Sequence, residues 1–254
     1  MKLAIPMYIT NKQNPEKPAS ININYAGHFI SLIKLALSSV NTNLYEDQYH
    51  TTKAKNFATC LYFPGIDESH FHKDSIELNK DGQVMMYFSV PDSMRNLSYN
   101  YLNAFIWLHQ QTLKKPLEYD ANNNVKVGSI FTVRDTPITL DHQIFKTASP
   151  IVAQNKDHRF ISCTDDSNVK EYTDALKSAL RFKYANDQRI LKHIDSLTFN
   201  PLATKKRVLK QFQINVEATT GMFELTGDPE LLNLIQQGGL GSRTGEFCGM
   251  VRAV

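Results

Sequence analysis

Two amphipathic helical stretches, each flanked by short strand-like runs, restrict this chain more than any other feature. From Gly27 to Val40 the apolar residues Phe29, Leu32, Ile33, Ala36, Leu37 and Val40 recur at spacings of three and four, the mark of one buried helical face. Lys34 sits at the edge of that stripe. Pro91, Asp92 and Ser93 supply start signals for a second helix, in which Met94, Leu97, Tyr101, Ala104, Phe105 and Leu108 keep helical spacing. Strand-like runs at Lys2–Ile9, Phe57–Phe63, Val84–Val90 and Val125–Val133 surround them, and the stretch from Asn41 to Asn56 reads as a polar connection. The order strand, helix, strand, strand, helix, strand is the split βαβ or ferredoxin-like pattern.

The second half repeats this rhythm. Gln143–Ala153 reads as extended and Val169–Lys183 as helical; a strand pair follows at Val208–Ala218 and Met222–Leu225, with its turn at Thr219, Thr220 and Gly221. In the first of these strands Phe212, Ile214 and Val216 alternate with Gln211, Gln213, Asn215 and Glu217, so one face is buried and one polar. Asp228 and Pro229 open a helix as N-cap and first residue, Gly238 and Gly239 end it, and a last strand closes the chain. The expectation is an α+β chain of two tandem ferredoxin-like (βαββαβ, RRM-like) domains, an N-terminal one over residues 1–137 and a C-terminal one over residues 138–254.

Composition narrows the function classes. Hydrophobic residues at 42% and charged residues at 21% are those of a globular chain rather than a disordered or coiled-coil one. No run of 18 apolar residues occurs, and Met1 to Thr10 lacks the apolar core of a secretory signal, so the expected location is the cytoplasm, without a membrane. Three cysteines (Cys60, Cys163, Cys248), far apart and without a C-x-x-C pair, support neither a disulfide framework nor a zinc finger. A net charge of +3 is too mild to coat nucleic acid, so any phosphate binding must come from local clusters. Two stand out: Lys53 with Lys55, and Lys205, Lys206, Arg207 and Lys210.

Chemistry concentrates in the segment from Gly238 to Val251, where Gly238, Gly239, Gly241, Gly245 and Gly249 account for five of the chain's 11 glycines. Glycines let backbone N–H groups approach a phosphate or sugar closely, with Ser242 and Arg243 as adjacent donors. The alternative is a helix C-cap followed by a hairpin-like loop. The segment lacks the Gly-Lys-Ser/Thr ending of a Walker loop and precedes a strand instead of opening a helix, which disfavours a nucleotide cofactor.

A glycine-rich loop of this form, Gly239-Leu240-Gly241 with a following basic residue and then Gly-Met-Val, near the end of a double ferredoxin-like chain, resembles the CRISPR-associated endoribonucleases that process pre-crRNA. These belong to the RAMP superfamily of RNA-binding proteins. The early helix from Tyr25 to Val40, the segment Thr147-Ala148-Ser149-Pro150-Ile151-Val152 and a histidine after the first helix carry the resemblance along most of the chain. One departure is that the family ends this loop with Gly-aromatic-Gly, where Phe247-Cys248-Gly249 stands here.

The resemblance implies a metal-independent cleavage of CRISPR repeat RNA with no cofactor, because RNA carries its own 2′-OH nucleophile. It places a catalytic histidine at His50, in Tyr49-His50-Thr51-Thr52-Lys53, and a phosphorane-stabilising cation at Lys34, with Tyr49 or Tyr45 supplying any phenol. RNA contacts fall to Lys53, Lys55, Lys206, Arg207, Gly239, Gly241, Ser242 and Arg243. Partners implied are the repeat RNA, other CRISPR effector subunits and a second copy of the chain, since family members occur as monomers and dimers. A noncatalytic RNA-binding subunit of an effector complex is the alternative function. His28, on the first helix but about 120° around from Lys34, is a rival histidine. His70 and His72 offer a His-x-His pair for a metal-dependent hydrolase, weighed against a plain polar loop.

Overall fold

A computed structural model describes residues 1–51, 53–211 and 214–254. The chain divides into two compact units, the first made of residues 1–52, 61–88 and 93–133, the second of residues 53–60, 89–92 and 134–254. No helix among the described residues is long and apolar enough to cross a membrane.

The first unit opens with β1 (Lys2–Asn11), then β2 (Ser20–Asn22), α1 (Ala26–Val40) and α2 (Thr42–Tyr49). β3 (Ala58–Tyr62), β4 (Ser75–Glu77) and β5 (Gln83–Ser89) follow, with residues 58–60 of β3 and Ser89 of β5 counted in the second unit, then α3 (Arg95–Lys114), β6 (Leu117–Glu118), β7 (Asn123–Val127) and β8 (Phe131–Val133). Its main sheet has the order β3-β5-β1-β7-β6, with β8 also pairing β1. Taking β1, β3, β5 and β7 as the four strands of a βαββαβ unit, the order 2-3-1-4 is the ferredoxin-like one. Leu3, Ile5, Met7 and Ile9 alternate along β1 and are each 1% exposed or less, so the central strand supplies one whole face of the core. Phe88 packs against Tyr101 and Phe105 of α3 at ring-centroid distances of 4.5 and 5.1 Å.

The second unit carries β9 (His142–Thr147), β10 (Ala153–Gln154), β11 (Phe160–Ile161), α4 (Val169–Lys183), α5 (Gln188–Ser196), β12 (Thr198–Gln211), β13 (Ile214–Thr226), α6 (Pro229–Gly238) and β14 (Val251–Ala253). Its sheet order β12-β13-β9-β14 is the same 2-3-1-4 arrangement. Phe145, Phe223 and Phe199 stack in a row across it, at 5.9 and 4.9 Å, and Tyr172 of α4 meets Phe199 edge-on at 5.0 Å. The expected α+β class with two ferredoxin-like folds is therefore the architecture found.

Four local expectations change. The polar stretch after α1 contains α2, started by the Asn41 side chain accepting from the Leu44 N–H at 3.0 Å. The run Val125–Val133 breaks into β7 and β8 after Val127: Gly128 N–H still donates to the Pro6 carbonyl of β1 at 2.7 Å, and pairing with β1 resumes at Phe131 opposite Ala4. Helix α5 goes unread from sequence, because only Ile190 and Ile194 mark its buried side; the Asp187 side chain caps it by accepting from Arg189 and Ile190 N–H groups. The strand pair is longer than expected and turns elsewhere: β12 begins at Thr198, and Thr219–Gly221 lies inside β13. A bulge lies on β12, where Leu202 is the extra residue between the Pro201–Phe223 and Ala203–Met222 pairs; Gly221, paired with Thr204 just beyond it, has a positive φ, and a Cβ there would fall 2.0 Å from the Ala203 carbonyl oxygen. Phe212 and Gln213 lie outside the described residues, so the alternation expected through them is represented by Ile214, Asn215, Val216 and Glu217.

Candidate functional site

In the first unit, helix α2 gathers the chemistry. Residues four apart on a helix share a face, so Tyr45 lies beside Tyr49 and Glu46 beside His50. The Tyr45 and Tyr49 rings are 5.7 Å apart, and the Tyr45 and His50 rings 5.3 Å apart in an edge-on arrangement. His50 closes α2 as its C-cap, with its backbone N–H donating to the Glu46 carbonyl at 2.9 Å. Its Nε2 lies 3.3 Å from the Tyr45 hydroxyl and its Nδ1 3.7 Å from the Glu46 carboxylate. Lys34 reaches over from α1 and sets its Nζ 5.0 Å from the centroid of the Tyr49 ring. Lys34, Tyr49, Tyr45 and His50 thus form a continuous line on two consecutive helices, with the imidazole more than half exposed at its outer end.

The two tyrosines are not equivalent. The Tyr49 hydroxyl is buried, with the Tyr101 phenol of α3 as its electrostatic neighbour; burial pushes the Tyr49 phenol well above the ordinary tyrosine range, so it stays neutral. Its ring is a platform for the Lys34 ammonium, a cation–π contact worth about 0.5–2 kcal/mol depending on desolvation. Tyr45 has the hydroxyl that meets the imidazole. The arrangement combines a solvent-facing imidazole, a carboxylate 3.7 Å from its Nδ1, a phenol at Nε2 and an ammonium held by an aromatic face: the parts needed to move one proton and stabilise one anionic centre. Glu46 is absent from the sequence reading, and Tyr101 enters it only as a core position of the second helix. The i, i+4 spacing of Glu46 to His50 was available as a signal once Asn41 was taken as a helix cap; Tyr101 carried no such signal, since its partner comes from another helix.

The remaining candidates lie in the second unit. Lys53 is exposed and Lys55 half-buried, the latter running beside Gly245. Lys206 and Arg207 are both exposed but, as neighbours on β12, point to opposite faces of the hairpin, and Lys206 pairs with Glu217. The glycine-rich loop is mostly enclosed by protein. Leu240 N–H donates to the Gly249 carbonyl, Gly249 N–H to the Pro150 carbonyl, and Ser242 N–H to the Val152 carbonyl, each at 2.8 Å. A Cβ at Gly241 would sit 2.4 Å from the Val152 carbonyl oxygen, so this glycine serves close backbone approach within the protein. Gly239 is likewise buried, while Ser242, Arg243 and Glu246 reach the surface. Arg243 pairs with Glu246 at 3.0 Å and lies 5.5 Å from the centre of the Phe160 ring.

The other histidines are engaged elsewhere. His28 stacks at 5.1 Å on Tyr119 and lines a polar cleft of about 600 Å³ walled by Asn11, Asn22, Asp74, Asp120 and Asn123. His70 belongs to a capping box with Asp67, its Nδ1 2.9 Å from Asp67 Oδ1, and hydrogen bonding by Ser69 and then His70 lowers the Asp67 carboxyl to about 2. Among the described residues, His193, Asp228 and Glu230 have ligand atoms within 4.8 Å of one another. Arg189 holds Glu230 at 2.6 Å, and both carboxylates sit in the first turn of α6, where the helix dipole already opposes a cation, so the cluster is an ion-pair latch between α5 and α6.

Residues 133–253 match the family described as CRISPR associated protein Cas6, C-terminal. No curated protein matches the chain in sequence. Among solved structures, the chain is similar to one described as a Cas6-related gene from Pyrococcus furiosus, with a TM-score of 0.76 and 15% identity over 100% of this chain and 99% of that one. It is also similar to a RAMP protein described as binding different RNA substrates (TM-score 0.74, 18% identity, 100% and 99% covered). A third is described as CRISPR associated protein Cas6 (TM-score 0.67, 20% identity, both chains fully covered).

Proposed function

Starting from a chain whose second half, residues 133–253, belongs to the CRISPR-associated Cas6 C-terminal family and whose whole fold is that of Cas6 and RAMP proteins, we propose that it is an endoribonuclease that cuts CRISPR repeat RNA. The reaction is transesterification. His50 Nε2 draws the proton from a 2′-OH, the 2′ oxygen bonds to the adjacent phosphorus, and the 5′ oxygen departs and takes up a proton. The products are a 2′,3′-cyclic phosphate and a 5′-OH end. The observation that carries this reading is the His50 imidazole set against the Tyr45 hydroxyl, with Lys34 held on the Tyr49 ring of the same helix. Tyr45 is the phenol of the site, and Tyr49 holds Lys34 in place. Lys34 supplies the charge for the phosphorane, and Glu46 orients the imidazole through Nδ1.

In this reading residues 1–137 hold the catalytic group and residues 138–254 most of the RNA-binding surface, with Ser242 and Arg243 as the loop's half-buried donors and Lys206 and Arg207 as phosphate contacts, joined by Lys53 from the first stretch. Arg243 exchanges Glu246 for a phosphate when RNA binds. The chemistry asks nothing of a metal, since the nucleophile belongs to the substrate and the cation is a lysine. Repeat RNA incubated with the protein in EDTA is therefore expected to be cut at one position, at the rate found with Mg²⁺ present. Loss of cleavage on chelation would overturn the mechanism, and tight binding without cleavage under either condition would favour the noncatalytic RNA-binding subunit.

A further inference from the structure

Lys183 is the last residue of α4 and its ammonium is fully enclosed. It donates to the Gly238 carbonyl at the end of α6, and to Thr244 Oγ1 at 3.3 Å. These two partners bracket the segment that carries Gly239, Gly241, Ser242 and Arg243. The Gly238 carbonyl is one of the four that α6 leaves without an intrahelical partner, at the negative end of its dipole, so a cation delivered from another helix both caps α6 and fixes where the loop departs. Gly238 has no room to move away: a side chain there would meet Tyr184 Oη at 3.0 Å and Pro91 at 3.2 Å. Thr244 in turn donates to the Lys55 carbonyl at 3.5 Å, tying the clamp to a second element.

We infer that Lys183 is a positioning residue for the RNA-binding loop, clamping its two ends and supplying a buried positive charge that favours a phosphate at Ser242 and Arg243. The inference rests on the RNA-cleaving or RNA-binding reading above. Among the described residues no carboxylate forms an ion pair with this ammonium. Asp92, on the segment that contributes Pro91, accepts from Gln237 Nε2 at 2.9 Å, and Glu246 is paired with Arg243. Lys55 meets Thr244 through its backbone, and the adjacent Tyr184 phenol, pushed far up by burial, stays neutral. Burial alone pulls the Lys183 amine down to about 7.

The sign of the pH effect follows. Between about 7 and the ordinary lysine value the unfolded chain holds one more proton here than the folded chain, so this group makes the fold more stable as pH rises through that window. Repeat RNA, by contrast, binds more weakly as the charge is lost. Opposite trends of stability and affinity across the same pH range distinguish the clamp from a residue that merely packs.

The test measures repeat-RNA affinity and thermal stability from pH 6 to 9 for wild type, Lys183→Arg and Lys183→Met. Wild-type affinity is expected to fall about tenfold through this range while stability rises. Lys183→Arg, which stays charged, should keep the tight binding at high pH; Lys183→Met should be weak throughout. Hydrogen exchange of the Leu240 and Gly249 amides without RNA supplies the second arm, with faster exchange expected in Lys183→Met. Equal pH profiles in all three proteins, with RNA bound by each, would overturn the role of Lys183 and leave the RNA reading standing. RNA bound by none would overturn the RNA reading, and unchanged exchange in Lys183→Met would then overturn the clamp as well.

Discussion

His50→Ala lowers the single-turnover rate of repeat cleavage by about 10²–10⁴, the contribution of a positioned general base, and leaves RNA affinity nearly unchanged. The separation is expected because the imidazole is more than half exposed at the end of α2, fills no core, and among the described residues meets Tyr45 and Glu46. Neither fold nor RNA surface depends on it. His50→Gln tests the same point with a side chain that still hydrogen-bonds Tyr45 but cannot accept and return a proton at neutral pH; it should be as slow as the alanine variant. Cleavage within a few-fold of wild type in both proteins would remove His50 from the mechanism. His28→Ala would then become the next comparison, since that histidine lies on α1 against Tyr119, in a separate part of the first unit.

Lys34→Met is expected to slow cleavage by about 10²–10³ with a small change in KM, because the charge it removes is needed most when the phosphorane forms. Methionine keeps the length and packs on the Tyr49 ring, so the helix face and the platform survive. Lys34→Arg retains the charge and the stacking and should recover much of the rate. A pure affinity loss, seen as raised KM at unchanged kcat, would make Lys34 a ground-state phosphate contact instead. The pair also tests the assignment of the two tyrosines: the buried Tyr49 hydroxyl sits at the Lys34 end of the line, while the Tyr45 hydroxyl sits at the His50 end.

Much of the fold was legible because its signals are local. The α1 and α4 stripes, the Asp228 cap with Pro229, and the Gly238–Gly239 stop each express one element's own periodicity or dihedral preference, and the structure places α1, α4 and α6 within a residue of those limits. What escaped depends on neighbours. The polar N-terminal part of β12 is a strand because β13 supplies its ladder, and Gly221, which resembles a turn residue in sequence, is needed inside β13 because the Ala203 carbonyl of the opposite strand leaves no room for a Cβ. Helix α2 escaped because Tyr, Asp, Glu and Gln dominate it and only Gln48 is buried along its length.

The site divides in the same way. His50 and Lys34 were reached through resemblance, as residue types at positions, whereas their separate contacts, Glu46 and Tyr45 on one side and Tyr49 on the other, are products of helical geometry. The enclosed glycine loop shows the reverse: the glycines were conspicuous in sequence, yet Gly241 meets the Val152 backbone, and the residue that fixes the loop's ends, Lys183, comes from a helix more than 50 positions earlier.

The most direct test is a repeat RNA carrying a single 2′-deoxy nucleotide immediately 5′ of the scissile phosphate, compared with the all-ribose strand. If the 2′ oxygen activated by His50 is the nucleophile, the protein binds both strands, cuts only the all-ribose one, and leaves a 2′,3′-cyclic phosphate on it. Cleavage of the deoxy-substituted strand at the same bond, or a 3′-OH end on the product, would contradict the mechanism.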